Sequence, residues 1–163
     1  MKPAIASRAL FLILAASLAT LAGAWYFELV LNLLPCKLCL EQRNPYYAAI
    51  PVALGGLAAI WTGRPGFGRW ALIVLAAVFI ISAGLGIQHA GIEWKFWAGP
   101  ADCGGRAAPG PSSAGGLLDA LRNTRIVSCT EAAWRFAGLS LAGWNALISA
   151  GLALLAAGAA LRK

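Results

Sequence analysis

Charge is scarce in this chain. Only 6 acidic and 13 basic residues occur among 163, and none of them lies inside the four long apolar runs. That absence argues against a small transporter, because a path for an ion or a proton needs ionisable groups within the membrane-spanning segments. A basic stripe with interleaved aromatics is also missing, so the net charge of +7 is not a nucleic-acid footprint and no nucleic-acid partner is expected. No internal repeat is visible. Cysteine is limited to 4 residues, Cys36, Cys39, Cys103 and Cys129, and none falls within an apolar run.

What is abundant is hydrophobic sequence, 60% of the chain. The runs are Ala9–Phe27, Pro45–Trp61, Trp70–His89 and Leu139–Leu161, each near the roughly 18–20 residues that cross a bilayer as a helix. They predict an all-α membrane protein, a single domain over residues 1–163 built as a four-transmembrane-helix bundle. The first run has a rival, a secretory signal cleaved after Ala24 in Ala22-Gly23-Ala24. Its length, and the repeat of Ala15, Ala19 and Gly23 at the spacing of helix contacts in lipid, favour a retained span. Pro45 suits a first helical turn. Arg64-Pro65-Gly66-Phe67-Gly68-Arg69 reads as a tight basic turn between Trp61 and Trp70, two interfacial anchors.

Lys2, Arg8, Arg64, Arg69, Arg162 and Lys163 all fall on one side of such a bundle. The positive-inside rule makes that side, with both termini, cytoplasmic. The outer loops are then about 28–44 and 90–138, and they hold all 6 acidic residues. The second is long and partly flexible, with a Gly/Pro/Ser-rich linker over Gly104–Ser113 and a short amphipathic helix over Leu117–Arg122.

All four cysteines therefore share the non-cytoplasmic, disulfide-permissive side. A four-cysteine zinc site normally uses two close pairs, whereas Cys103 and Cys129 are far apart, so no metal is expected. Two structural disulfides are the next possibility, but a bridge between Cys36 and Cys39 closes too small a loop to restrain the unfolded chain much. Thiol–disulfide exchange is the leading chemistry for Cys-x-x-Cys.

Three blocks, in order on this topology, resemble the disulfide bond formation protein B family, DsbB. They are Pro35-Cys36-x-x-Cys39 followed by Gln42-Arg43-x-Pro45-Tyr46, then His89-Ala90-Gly91-x-Glu93-Trp94 leading to Gly99-Pro100 and Cys103. The third is Cys129 with Trp134, Phe136-x-Gly138-Leu139-Ser140 and Trp144-Asn145. The resemblance implies a thiol:quinone oxidoreductase of the bacterial inner membrane with its redox loops in the periplasm. It implies a Cys103–Cys129 disulfide offered to a soluble DsbA-like thioredoxin-fold partner, with Cys103 forming the mixed disulfide. Cys129 then attacks Cys36, and Cys39 faces a membrane quinone, ubiquinone or menaquinone. A lowered pKa at Cys39 would help, and Arg43, one helical turn on, would stabilise that thiolate and a reduced quinone oxygen. His89 and Glu93 are proton-relay candidates, and Gln42 is a weaker site candidate or a loop hydrogen-bonder. Two rivals stay open. One resembles vitamin K epoxide reductase, although that family carries its Cys-x-x-Cys late in the bundle. The other is a non-catalytic tetraspan scaffold with two structural disulfides.

Overall fold

A computed structural model of the chain describes residues 3–100 and 129–162. Cys103, the Gly104–Ser113 linker and the Leu117–Arg122 segment lie outside the described residues. Four long helices form the bundle: α1 (Pro3–Leu29), α3 (Asn44–Trp61), α4 (Pro65–Glu93) and α5 (Leu141–Leu161). Between the first two sits a short helix, α2 (Lys37–Glu41), and before the last comes a hairpin of β1 (Arg135–Phe136) and β2 (Leu139–Ser140). α1, α4 and α5 are long and apolar enough to cross a membrane, and α3 is the fourth helix packed among them.

The packing is inverted relative to a water-soluble bundle. Large side chains such as Phe11, Leu18, Leu54, Ile80, Ile81 and Leu154 point outward. Small residues such as Ala6, Ala9, Ala49, Ala53, Ala156 and Ala160 lie inside, around a centre filled by Leu10, Ile13, Tyr46, Leu72, Leu75 and Phe79. In lipid the outward apolar surface loses nothing, and helices associate through close packing, which small residues permit. Gly86 shows how close: a Cβ there would stand 2.8 Å from the backbone nitrogen of Ala146, so α4 and α5 touch backbone to backbone.

Element ends differ from the apolar runs in ways that matter for the site. The basic turn is shorter than the sequence suggests. α3 closes at Trp61, Gly63 turns the chain with a φ of 79°, and α4 already starts at Pro65. Proline at a first turn has no N–H to leave unpaired, so it opens the helix instead of prolonging the turn. At its other end α4 runs past His89 to Glu93, so both residues belong to the helix. The fourth run does not begin as helix: Leu139 and Ser140 pair antiparallel with Phe136 and Arg135, and Ser140 caps α5 by accepting from the Gly143 N–H at 3.1 Å. Ala137 and Gly138, with φ of 50° and 82°, make the two-residue turn whose hand matches strand twist.

Candidate active site

The cysteine pair lies at the end of the bundle opposite the Thr62–Arg64 connection. Cys36 is the N-cap of α2, and its Sγ accepts the backbone N–H of Cys39 at 3.2 Å. One turn of helix thus folds the two thiols together, Sγ to Sγ at 2.7 Å, with Cys36 buried and Cys39 half-buried. The hydrogen bond from Cys39 lowers the Cys36 thiol to about 5, against the effect of burial and with help from His89. Cys39 is pushed strongly up by the same hydrogen bond and by burial. The sequence favours a lowered pKa at Cys39, whereas in this reduced geometry the hydrogen bonds lower Cys36 and raise Cys39. The reason is tertiary: the donors converge on Cys36, and the thiol that donates to a thiolate keeps its own proton.

One of those donors comes from α4. His89 Nε2 lies 3.7 Å from Cys36 Sγ and 3.8 Å from Glu93 Oε1, the latter one helical turn further on. The Glu93 side chain is buried, and its Oε2 has no hydrogen-bond partner among the described residues. The other imidazole nitrogen, Nδ1, is 2.7 Å from Gln42 Nε2. Gln42 Oε1 accepts from Asn145 Nδ2 at 2.7 Å, and Asn145 Oδ1 accepts from the Tyr46 hydroxyl at 2.7 Å. Tyr46 reaches Ser149 at 2.9 Å, and Ser149 lies 2.8 Å from Ser82. A file of polar side chains from three helices and a turn therefore runs from the thiols into the apolar centre. Buried polar groups of this kind persist because each finds a partner, an unpaired one costing about 1–3 kcal/mol.

Arg43 is the N-cap of α3, separated from α2 by a turn, so Cys39 and Arg43 do not share one helix. Its guanidinium donates to Glu28 at 2.6 Å and to the Ala24 carbonyl at 3.5 Å, and it stacks on Trp25 with 5.6 Å to the ring centroid. All three partners belong to α1. Arg43 still borders a cavity of about 270 Å³, together with Cys39, Gln42, His89, Tyr46 and Asn145. Most of the remaining wall is apolar, including Leu21, Phe27, Leu34, Leu141 and Ile148. Trp144, also on the wall, is pinned by its indole N–H to the Phe136 carbonyl at 3.0 Å, and Trp134 stacks on Phe136 and leans on Phe27. The hairpin thus brings an aromatic cluster against this end of the bundle.

Cys129 is buried and disulfide-bonded, and it packs in one cluster with Cys36, Leu38, Ile92 and Cys39. The structure accordingly assembles Cys36, Cys39, Cys129, Gln42, Arg43, His89 and Glu93 at one end of the molecule. Three contributors had no role in the sequence analysis. Tyr46 and Asn145 stood inside family-like blocks without a function, and Glu28 was one acidic loop residue among six. The site residues Cys36, Cys39 and His89 also place ligand atoms within 4.8 Å of one another. Two sulfurs at 2.7 Å are closer than the roughly 3.8 Å that separates thiolates on one tetrahedral zinc, so the geometry favours sulfur–sulfur chemistry.

The chain matches the family described as Disulfide bond formation protein DsbB over residues 6–159. It is 33% identical over 151 residues to Disulfide bond formation protein B of Marinobacter nauticus, covering 88% of this chain and 84% of that one. It is 31% identical over 159 residues to the protein of the same name from Verminephrobacter eiseniae, covering 91% and 82%. A third relative of that name, from Xanthomonas campestris pv. campestris, is 33% identical over 141 residues, covering 83% and 79%. No solved structure matches the chain. With its membrane-length helices and a family match over nearly its whole length, the chain belongs to the bacterial DsbB family of disulfide bond formation proteins.

Proposed function

We propose that this protein is a thiol:quinone oxidoreductase that reoxidises a soluble, periplasmic DsbA-like dithiol protein and delivers the electrons to a membrane quinone. The observation that carries the proposal is the packing of disulfide-bonded Cys129 beside Cys36, while Cys39 borders the apolar cavity. A thiol released at Cys129 is thus next to the sulfur it must attack, and the leaving sulfur faces a space suited to a ring.

The cavity supports the quinone end on its own chemistry. About 270 Å³ is close to the lower end of small-molecule pockets, the wall is largely apolar, and its few polar groups converge beside a thiol. Quinone, when bound, supplies a two-electron, two-proton acceptor. Arg43 presents a fixed positive charge to that space, and Gln42, Asn145 and His89 present hydrogen-bonding groups. The soluble dithiol attacks the Cys103–Cys129 disulfide through Cys103, and closure of its own disulfide leaves both thiols of this chain reduced. With Cys36 and Cys39 joined as a disulfide, Cys129 thiolate attacks Cys36 and Cys39 leaves as a thiolate. Cys103 then attacks Cys129, which re-forms their disulfide and frees Cys36. The reduced Cys36–Cys39 pair would give two electrons and two protons to a bound quinone as it closes again. Across the cycle two thiols and one quinone become one disulfide and one quinol, so electrons and protons balance. His89 and Glu93 sit where protons must be held as Cys36 and Cys39 change state.

Quinone reduction by the purified protein, with a reduced thioredoxin-like oxidant as donor, tests this. Cys39→Ser, Cys103→Ser and Cys129→Ser should each abolish turnover, and Arg43→Ala should raise the KM for quinone roughly tenfold or more with a smaller effect on kcat, as expected when a charged partner is removed. Absence of turnover with every donor and quinone, together with disulfides that resist reduction, would favour a structural scaffold.

A further inference from the structure

The buried polar file raises a question that the redox proposal does not answer: which nitrogen of His89 carries the proton. The amides in the file are linked end to end, so their orientations are not independent. Tyr46 donates to Asn145 Oδ1, which aims Asn145 Nδ2 at Gln42 Oε1, which in turn aims Gln42 Nε2 at His89 Nδ1. An N–H pointed at Nδ1 requires a lone pair there, so the proton sits on Nε2. Nε2 faces Cys36 Sγ at 3.7 Å and Glu93 Oε1 at 3.8 Å.

Turning every amide over would give the opposite tautomer, and the surroundings decide between the two. The reversed file would set an Nε2 lone pair against the Cys36 sulfur and a buried carboxylate whose other oxygen has no partner among the described residues. The forward polarity turns the Nε2–H toward the sulfur, with the Glu93 carboxylate 3.8 Å from the same nitrogen. Among the described residues, the charged and titratable groups around Nε2 are Cys36 and Cys39 at α2 and Glu93 on α4. Arg43, on the same cavity wall, is held by Glu28.

We propose that Tyr46 and Asn145, inside the membrane bundle, are positioning residues that hold His89 in the Nε2–H tautomer and so aim a hydrogen-bond donor at Cys36. The partners come from α3, α5 and the turn before α3, so the same file ties the bundle centre to the redox end. This assignment deepens the redox proposal, but its test needs neither quinone nor a partner protein, so either can fail alone.

The chain contains 1 histidine, which makes the test direct. The reduced full-length protein, labelled with ¹⁵N in the histidine ring and held in detergent micelles, should show a protonated Nε2 and an unprotonated Nδ1. Tyr46→Phe and Asn145→Leu should each shift the ring toward the Nδ1–H form. The same two variants should move the pH midpoint of Cys36 alkylation up by about one unit, a tenfold loss of thiolate on the acidic limb. Trypsin cuts after Lys37, so Cys36 and Cys39 are read on separate peptides. An Nδ1–H ring in the unaltered protein would overturn the assignment. So would an Nε2–H ring and an alkylation midpoint that both variants leave unchanged.

Discussion

Cys36 receives hydrogen bonds from Cys39 and a donor from His89, and every such contact stabilises the reduced pair over the disulfide. A stabilised thiolate makes the corresponding disulfide more oxidising, which suits a protein that must draw electrons from another dithiol. Replacing His89 by Phe should therefore make the Cys36–Cys39 potential more negative, by about 30 mV for each tenfold of thiolate stabilisation lost. Equilibration with glutathione buffers would measure it, and an unchanged potential would rule out the His89 contribution. The pH dependence of stability has a definite sign. In the reduced protein Cys36 is lowered from 9.0 to about 5, so its contribution is full near pH 9, declines as pH falls toward 5 and is lost below. Cys39, raised in the fold, acts oppositely above pH 9, where the unfolded chain would ionise and the folded one resists. Thermal unfolding of the reduced protein should therefore show a Tm that climbs from pH 5 to pH 9 and then falls. The oxidised protein should lack this profile.

At the scale of elements, each helix end decides a functional contact. The extra turn of α4 beyond His89 sets Glu93 against the imidazole, and the break between α2 and α3 turns Arg43 toward α1. The α4–α5 contact matters because α5 supplies Asn145 and Ser149 while α4 supplies His89 and Ser82. Gly86 sits at that contact, facing Ala146 backbone, whereas Gly84 faces open space. Gly86→Leu should cost about 1–3 kcal/mol through overpacking and lower the Tm in detergent, while Gly84→Leu should stay close to the unaltered protein. Equal effects would mean that the close approach contributes little. The cysteine pair, Arg43 and the four helices were legible in the sequence because they are local: a spacing, a nearby charge, long apolar runs. Tyr46, Asn145, Ser149 and Ser82 gave no such signal, since a tyrosine, an asparagine and two serines in apolar runs have no periodicity that marks them as connected.

For the whole molecule, the bundle places the Thr62–Arg64 connection at one end and every redox side chain among the described residues at the other. If the basic end faces the cytoplasm, a cysteine introduced at exposed Phe96 should react with a membrane-impermeant maleimide in cells with a permeabilised outer membrane. A cysteine at exposed Thr62 should react only after lysis. The reverse labelling would place the redox end in the cytoplasm, where thiols are kept reduced, and would sink the proposed electron path.

The sequence by itself determined that the solvent is lipid, that the helices are long and apolar, and that two thiols lie one turn apart beside an arginine. Those are consequences of composition and short spacing, which act along the chain. Tertiary structure alone decided which donors converge on Cys36, where Arg43 points, and that Cys129 meets Cys36. Each depends on atoms brought together from separate helices and loops, where burial strengthens every hydrogen bond and an unpaired group is expensive.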